Sequence, residues 1–322
     1  LLEYEKLAPN YIPKIYHTDE EMSLAIMQNL HSHIIMRKGI LEGIYYHKFS
    51  EQISDFLANT LFHSSSLYLS SSDKKREIAR FADNTELCKL TEDFVFTFPY
   101  MENETNRFDI EIKDDVERIK KDWLFKIKVM ELKYLFMNKT DSLIHGDLHT
   151  GSIMLNSDES FVIDSEFAFY GPMGFDVGAV FGNLLMAYCS YIVRDDKKYQ
   201  EWLLECAFEV LDKFLQKFRK HWDHTTSSAL INEYYFKECG KEYLEVYKDT
   251  FMNQILQESV GFAGCKMMRR QMGIAHVLDI DSIEDPTLRA VAQKEVIRIA
   301  REFVVHYKEI ENIEDIKKII KG

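Results

Sequence analysis

Two short stretches hold the residues that could do chemistry. Ile-His-Gly-Asp-Leu-His-Thr-Gly-Ser occupies 144–152, and Phe-Val-Ile-Asp-Ser-Glu occupies 161–166. The first offers Asp147, a carboxylate on a tight loop after the apolar start Leu143-Ile144. The second offers Asp164 and Glu166, flanking Ser165 at the end of a β-branched run. One acid to orient and deprotonate a hydroxyl, with two more to hold magnesium against phosphates, is the set that phosphoryl transfer from ATP requires. Magnesium keeps several waters and takes one or two protein carboxylates plus phosphate oxygens, so a pair suits it better than a closed cage.

Each piece also has a plainer reading. Asp147 follows Gly146, which accepts backbone conformations that a Cβ resists, and could be a structural turn acid between His145 and His149. A zinc site of His145, Asp147 and His149 fits by ligand type, but no further ligand is spaced to complete it. Asp164 and Glu166 could simply end a strand as turn residues. The connection between the clusters favours chemistry. A small hairpin, 153–155 and 161–163 about a turn at 156–158, puts both acid clusters on one edge. Downstream, Gly171-Pro172-Met173-Gly174-Phe175-Asp176-Val177-Gly178 is a rigid turn feeding a helix. There Asp176 reads either as a brace for the Asp147 loop or as an N-terminal cap.

The elements around these loops follow from periodicity and punctuation. Residues 2–8 read as a helix stopped by Pro9. Strands are expected at 12–16 and 22–27 about an Asp19-Glu20 turn. The apolar spacing of Ile44, Phe49, Ile53, Phe56, Leu57 and Leu61 predicts one long helix over 41–61. Six serines within 64–72 read as a loop. A charged, amphipathic helical region is expected over 110–138, leading to a strand at 142–144. Beyond 175 the pattern is almost entirely helical, with Asp285-Pro286 as a helix start and a short terminal helix over 311–320.

With 322 residues, 46% of them hydrophobic, the chain can hold two lobes around a well-buried core. A net charge of −13 argues against a nucleic-acid partner. The five cysteines are scattered and never in CxxC spacing, which points to a reducing cytoplasm rather than disulfides or zinc. The apolar stretch 177–193 contains Asn183 and Ser190 and is too short and polar for a membrane span, and no signal peptide is visible. The chain opens on Leu1 in mid-pattern, which reads as a fragment with its N-terminus missing.

The runs 143–153 and 162–178 together resemble the 5-methylthioribose kinase family. That family sits in the protein-kinase-like group with aminoglycoside phosphotransferases and choline kinases. Arg37-Lys38-Gly39, Glu42-Gly43, Asn84 to Cys88, Phe96-Thr97, Gly261 to Cys265, Arg269-Arg270 and Ala275-His276 extend the likeness across most of the chain. Ser152 stands where most of the group has Asn, and Asp164-Ser165-Glu166 replaces Asp-Phe-Gly.

The resemblance implies an α+β, two-lobed protein-kinase-like fold: a partial N-terminal β lobe over 1–30, and a large, mostly helical lobe over 31–322. It implies phosphorylation of the 1-hydroxyl of 5-methylthioribose by ATP with Mg2+, in methionine salvage. Asp147 would be the base and a sugar contact. Asp164, Ser165 and Glu166 would bind ATP, with Asp164 and Glu166 on the metal. Gln28, Asn29 and Leu30 would form the hinge that reads adenine, and Arg269 and Arg270 would reach the active site. On composition alone, Lys266 and that arginine pair read as a solvated helix face. A homodimer is implied by the resemblance only. The family's glycine-containing loop and strand lysine would precede Leu1, and either Glu3 or Glu5 would be the lysine's partner. The rival readings are a choline, homoserine or aminoglycoside kinase, or a truncated, non-catalytic module.

Overall fold

Helix α1 (Leu2–Leu7) stops just short of Pro9, as expected. The computed structural model describes residues 1–22, 24–232, 234–240 and 242–322. The first sheet pairs β1 (Ile15–Asp19) with β2 (Leu24–Met27) in antiparallel fashion. The first strand therefore starts later than the expected 12–16, because Ile12 is buried in the core instead. Of the second expected strand, 22–27, Ser23 lies outside the described residues.

After β3 (Ile34–Ile35) and α2 (Met36–Leu41), the single helix expected over 41–61 does not form. Gly43 adopts φ +71°, a left-handed conformation that disfavours helix continuation, and α3 (Phe49–His63) begins only after that turn. The serine run is a turn that ends in a cap. Ser70 Oγ accepts from the Asp73 amide at 3.1 Å to start α4 (Ser71–Arg80), which is followed by α5 (Thr85–Phe96). The 110–138 region splits into α6 (Lys113–Lys121) and α7 (Trp123–Asn138), because Asp122 caps the second helix through the Phe125 amide at 3.0 Å. The expected amphipathic character fails in α7. It buries Phe125, Val129, Leu132 and Phe136, yet its outer side is apolar too.

The central strands are short and almost fully buried. They are β4 (Ser142–Ile144), β5 (Ile153–Leu155), β6 (Ser160–Val162) and β7 (Phe169–Gly171). The β5–β6 hairpin is the one expected between the acid clusters, and β3 extends it. Strand β4 pairs instead with β7, which had not been anticipated. The remainder is helical: α8 (Met173–Ser190), α9 (Lys197–Asp223), α10 (Glu242–Met272), α11 (Leu278–Asp281), α12 (Pro286–His306) and α13 (Ile313–Lys321). Asp285 caps α12 as expected, accepting from the amides of Thr287 and Leu288. The fold is thus α+β, with small sheets and a large helical part.

Helix α8 is buried along its length except at Tyr188. Among the described residues it forms the one segment long and apolar enough to cross a membrane, and it lies inside the core. Gly174, Gly178 and Gly182 form a smooth strip on it. A Cβ at Gly178 would lie 2.3 Å from the Ser259 carbonyl oxygen of α10, so only glycine lets the two backbones touch. This contact fixes where the C-terminal turns of α10 arrive.

Candidate active site

The loop after β4 is built to hold Asp147 still. Gly146 takes φ +81°, and a Cβ there would meet the Phe167 carbonyl oxygen at 2.3 Å. His145 is fully buried and held at both ring nitrogens. Nε2–H donates to the Ile163 carbonyl at 2.9 Å, and Nδ1 accepts from the Asp147 amide at 3.3 Å. Burial pushes its pKa down to about 4, so it is neutral and has no lone pair to spare. A zinc site on His145 is thereby excluded. Asp176 accepts from the amides of His145 at 2.6 Å and Gly146 at 3.0 Å. Of its two expected roles, brace and helix cap, the structure shows the brace. Helix α8 starts after Pro172 with no side-chain cap. Burial raises the Asp176 pKa to about 6, against the pull of those two amides.

Asp147 itself sits among cations. Its Oδ1 accepts from Lys266 Nζ at 2.9 Å, with Arg269 Nη2 at 3.8 Å. Its Oδ2 faces His149 Nε2 at 3.3 Å. The Gly151 amide donates to His149 Nδ1 at 3.0 Å, which leaves the ring proton on Nε2, pointing at the carboxylate. Burial opposes the charge on Asp147, but Lys266, His149 and Arg269 outweigh it and hold the pKa well below the usual range. Lys266 stands 4.5 Å from the Phe175 ring centroid; burial lowers its pKa to about 8, while Asp147 works against that fall. Ser152, five residues after Asp147, donates to the Asp147 carbonyl at 3.0 Å and so tightens the same loop.

The arginine pair is not a solvated face. Arg269 is buried with Nε lacking any partner among the described residues. Arg270 donates to the carbonyls of Ala275 at 3.3 Å and His276 at 3.0 Å. Two further residues join them that sequence reasoning had not assigned to the site. Arg37 donates to Thr150 Oγ1 at 3.2 Å and lies 3.5 Å from Asp279 Oδ2. Asp279 is buried, accepts no hydrogen bond on either oxygen among the described residues, and is raised by that burial to about pKa 6. Gly174, Gly178 and Gly182 let α10 come down onto α8 and so carry Lys266 and Arg269 to Asp147, whereas Arg37 and Asp279 arrive from α2 and α11.

Asp164 and Glu166 occupy the neighbouring turn. Asp164 adopts φ 66°, the one left-handed non-glycine residue among those described, at the mouth of a cleft of about 600 Å³ shared with Glu3, Arg80, Asn84 and Glu166. Asn84 holds the turn by donating to the carbonyls of Glu166 at 2.8 Å and Ala168 at 3.1 Å. Both carboxylates are exposed and free of ion-pair partners among the described residues, and Ser165 between them is half-buried. Two free carboxylates that leave room for phosphate oxygens and water fit magnesium. Glu3 lines this cleft and pairs with Arg80 at 2.9 Å, whereas Glu5 accepts from the Ile15 amide at 3.1 Å. The two acid loops are stitched together: His145 bonds Ile163, and the Ile163 amide donates to the Ser152 carbonyl at 3.0 Å.

The expected hinge follows β2. The Gln28 amide donates to the Lys14 carbonyl at 2.8 Å, its side chain accepts from the Lys14 amide at 3.2 Å, and Leu30 O accepts from His33. Asn29 is exposed.

A profile of the phosphotransferase enzyme family matches residues 7–223. Methylthioribose kinase 1 of Oryza sativa subsp. japonica is 39% identical over 324 residues, covering 97% of this chain and 74% of that protein. Methylthioribose kinase of Geobacillus kaustophilus (strain HTA426) is 37% identical over 319 residues, covering 99% and 76%. The Escherichia coli O45:K1 (strain S88 / ExPEC) protein of that name is 38% identical over 312 residues, covering 95% and 74%. Among solved structures, a glucosamine kinase bound to glucosamine, ADP and inorganic phosphate superposes with TM-score 0.49 at 11% identity, over 92% of this chain and 70% of that one.

Proposed function

The chain belongs to the methylthioribose kinases of the phosphotransferase enzyme family, and we propose that it transfers the terminal phosphoryl group of ATP to the 1-hydroxyl of 5-methylthioribose, a step of methionine salvage. The observation that carries this reading is the junction of Asp147 with the buried cations at the end of α10. Oδ1 is committed to Lys266 and Arg269, while Oδ2 faces only the His149 Nε2–H among the described residues, so the remaining lone pair of Oδ2 is the one left for the acceptor hydroxyl. The hydroxyl oxygen bonds to phosphorus, the bond to the ADP oxygen breaks, and the proton passes to Oδ2. Transfer is direct and in line, because phosphoryl transfer rewards positioning and charge neutralisation more than covalent chemistry.

Asp164 and Glu166 would hold Mg2+, which neutralises charge on the ATP phosphates, and Ser165 lies between them on the nucleotide side. The 28–30 segment would read adenine through its backbone and mark the boundary between lobes 1–30 and 31–322. Arg269 Nε and the Asp279 oxygens, buried without hydrogen bonds among the described residues, are a donor and an acceptor for the hydroxyls of a neutral sugar. Arg37, Lys266, Arg269 and Arg270 face Asp147 and Asp279, an excess of positive charge that repels choline or an aminoglycoside. The enzyme would work in the cytoplasm, as a homodimer.

The test is a coupled ADP-release assay on the full natural chain with ATP and magnesium, offering 5-methylthioribose, choline, homoserine and an aminoglycoside. Turnover confined to 5-methylthioribose is the expected result; preference for any of the others overturns the substrate assignment.

A further inference from the structure

Helix α7 has two apolar faces, and the fold uses one. Its inner positions, Phe125, Val129, Leu132 and Phe136, are buried in the core. Its outer positions are Trp123 at 70% exposed, Ile127 at 45%, Met130 at 69%, Tyr134 at 67% and Met137 at 56%. They alternate four and three residues apart, the a/d seam that packs against another helix. Asn138, at the last position, is the helix's remaining exposed residue, while Lys126, Lys128, Glu131 and Lys133 lie half-buried along the flanks. A surface helix normally turns polar residues outward, and a contiguous bare patch of this kind marks an interaction site.

We propose that the outer seam of α7 is the surface through which two copies of this chain pair. This rests on the homodimer reading above and names its interface. A seam of regular a/d spacing is complementary to itself, and a twofold axis through Met130 sets each seam on its duplicate. Large side chains carry about 150–250 Å² each, so these exposures leave roughly 600 Å² bare on one copy. A pair hides on the order of 1,200 Å², the size at which stable interfaces begin. Beside the seam a cleft of about 840 Å³, lined by Ile127, Met130, Tyr134, Gln257 and Tyr307, can receive the partner's protruding side chains. The net charge of −13 disfavours an anionic membrane as the occupant.

The experiment is sedimentation equilibrium on the full chain at micromolar concentration, for wild type and for a Met130→Glu, Tyr134→Glu double variant. Both sites are exposed, so the variant folds, which circular dichroism checks. We expect a wild-type dimer and a variant weakened at least 100-fold. In a background with Cys88 and Cys239 replaced by Ser, Met130→Cys should form a disulfide-linked dimer, since Met130 meets its counterpart whichever way the helices run. A wild-type monomer, or a dimer indifferent to the double substitution, overturns the proposal. So does a monomer that co-sediments with phosphatidylserine vesicles. Because none of these readouts uses turnover, they are independent of the substrate assignment. A dimer that survives the substitutions refutes this interface alone, and a monomer refutes the homodimer with it.

Discussion

Lys266 and Asp147 meet at 2.9 Å, an ammonium buried against an aromatic ring and the carboxylate of a loop whose backbone is held from three sides. Breaking a buried pair by removing one partner is costly because the other charge is left uncompensated. Lys266→Met should therefore let the carboxylate swing, lowering kcat by on the order of 100-fold, the scale of an ångström-sized misplacement. Steady-state kinetics with 5-methylthioribose checks this; kcat within three-fold of wild type would refute the role.

The same pair gives a pH signature. Wild-type turnover should decline above pH 8 as the Lys266 ammonium, its pKa lowered to about 8, loses its proton. Lys266→Arg should keep its activity at pH 9. Stability runs the other way. The unfolded chain binds this proton up to about 10.5 and the folded chain only up to about 8, so the group's contribution to stability rises with pH between those values. Rate and urea midpoint measured from pH 7 to 10 should diverge.

Asp147→Asn should cost on the order of 100- to 10,000-fold in turnover, the usual worth of a general base. Binding of ATP and magnesium, followed by calorimetry, should be little changed, because Asp164 and Glu166 sit on a separate turn. Activity within a few-fold of wild type would rule Asp147 out as the base.

Asp164→Asn should abolish turnover and shift the magnesium titration to higher concentration while leaving the melting temperature unchanged, since that carboxylate is exposed and unpaired among the described residues. An unaltered magnesium titration would remove Asp164 from the metal.

Asp176→Asn offers one acceptor oxygen to two backbone amides and should cost about 1–3 kcal/mol at pH 7, the penalty of an unmet buried donor. Its folded pKa of about 6 lies above the ordinary 3.8, so its contribution to stability falls as pH rises through that window. Urea unfolding of the variant should be flatter between pH 4 and 6.

The acid loops could be read from sequence because their chemistry is contiguous: Gly146-Asp147 and Asp164-Ser165-Glu166 each sit within one turn, joined by a hairpin of visible alternation. Lys266 could not, and Arg269 came to the site only through the family resemblance, since composition places such residues in water. They are buried because three glycines on a distant helix permit a backbone approach, and pairwise proximity of that kind leaves no local periodicity. The break at Gly43 was hidden for the opposite reason. Apolar residues continue at helical spacing through it, while a single left-handed glycine redirects the chain. Helix α7 misled as well, since an apolar outer face serves no purpose inside one copy.

The bonds from His145 to Ile163 and from Ile163 to Ser152 make the Asp147 loop and the Asp164–Glu166 turn one solid piece, whereas Arg37, Arg269, Arg270 and Asp279 hang from α2, α10 and α11. The two pieces meet where Lys266 and Arg269 grip Asp147 and where Arg37 bonds Thr150. A change made among those cations is therefore felt at the carboxylate too, as a workpiece clamped to the headstock carries every knock back to the spindle.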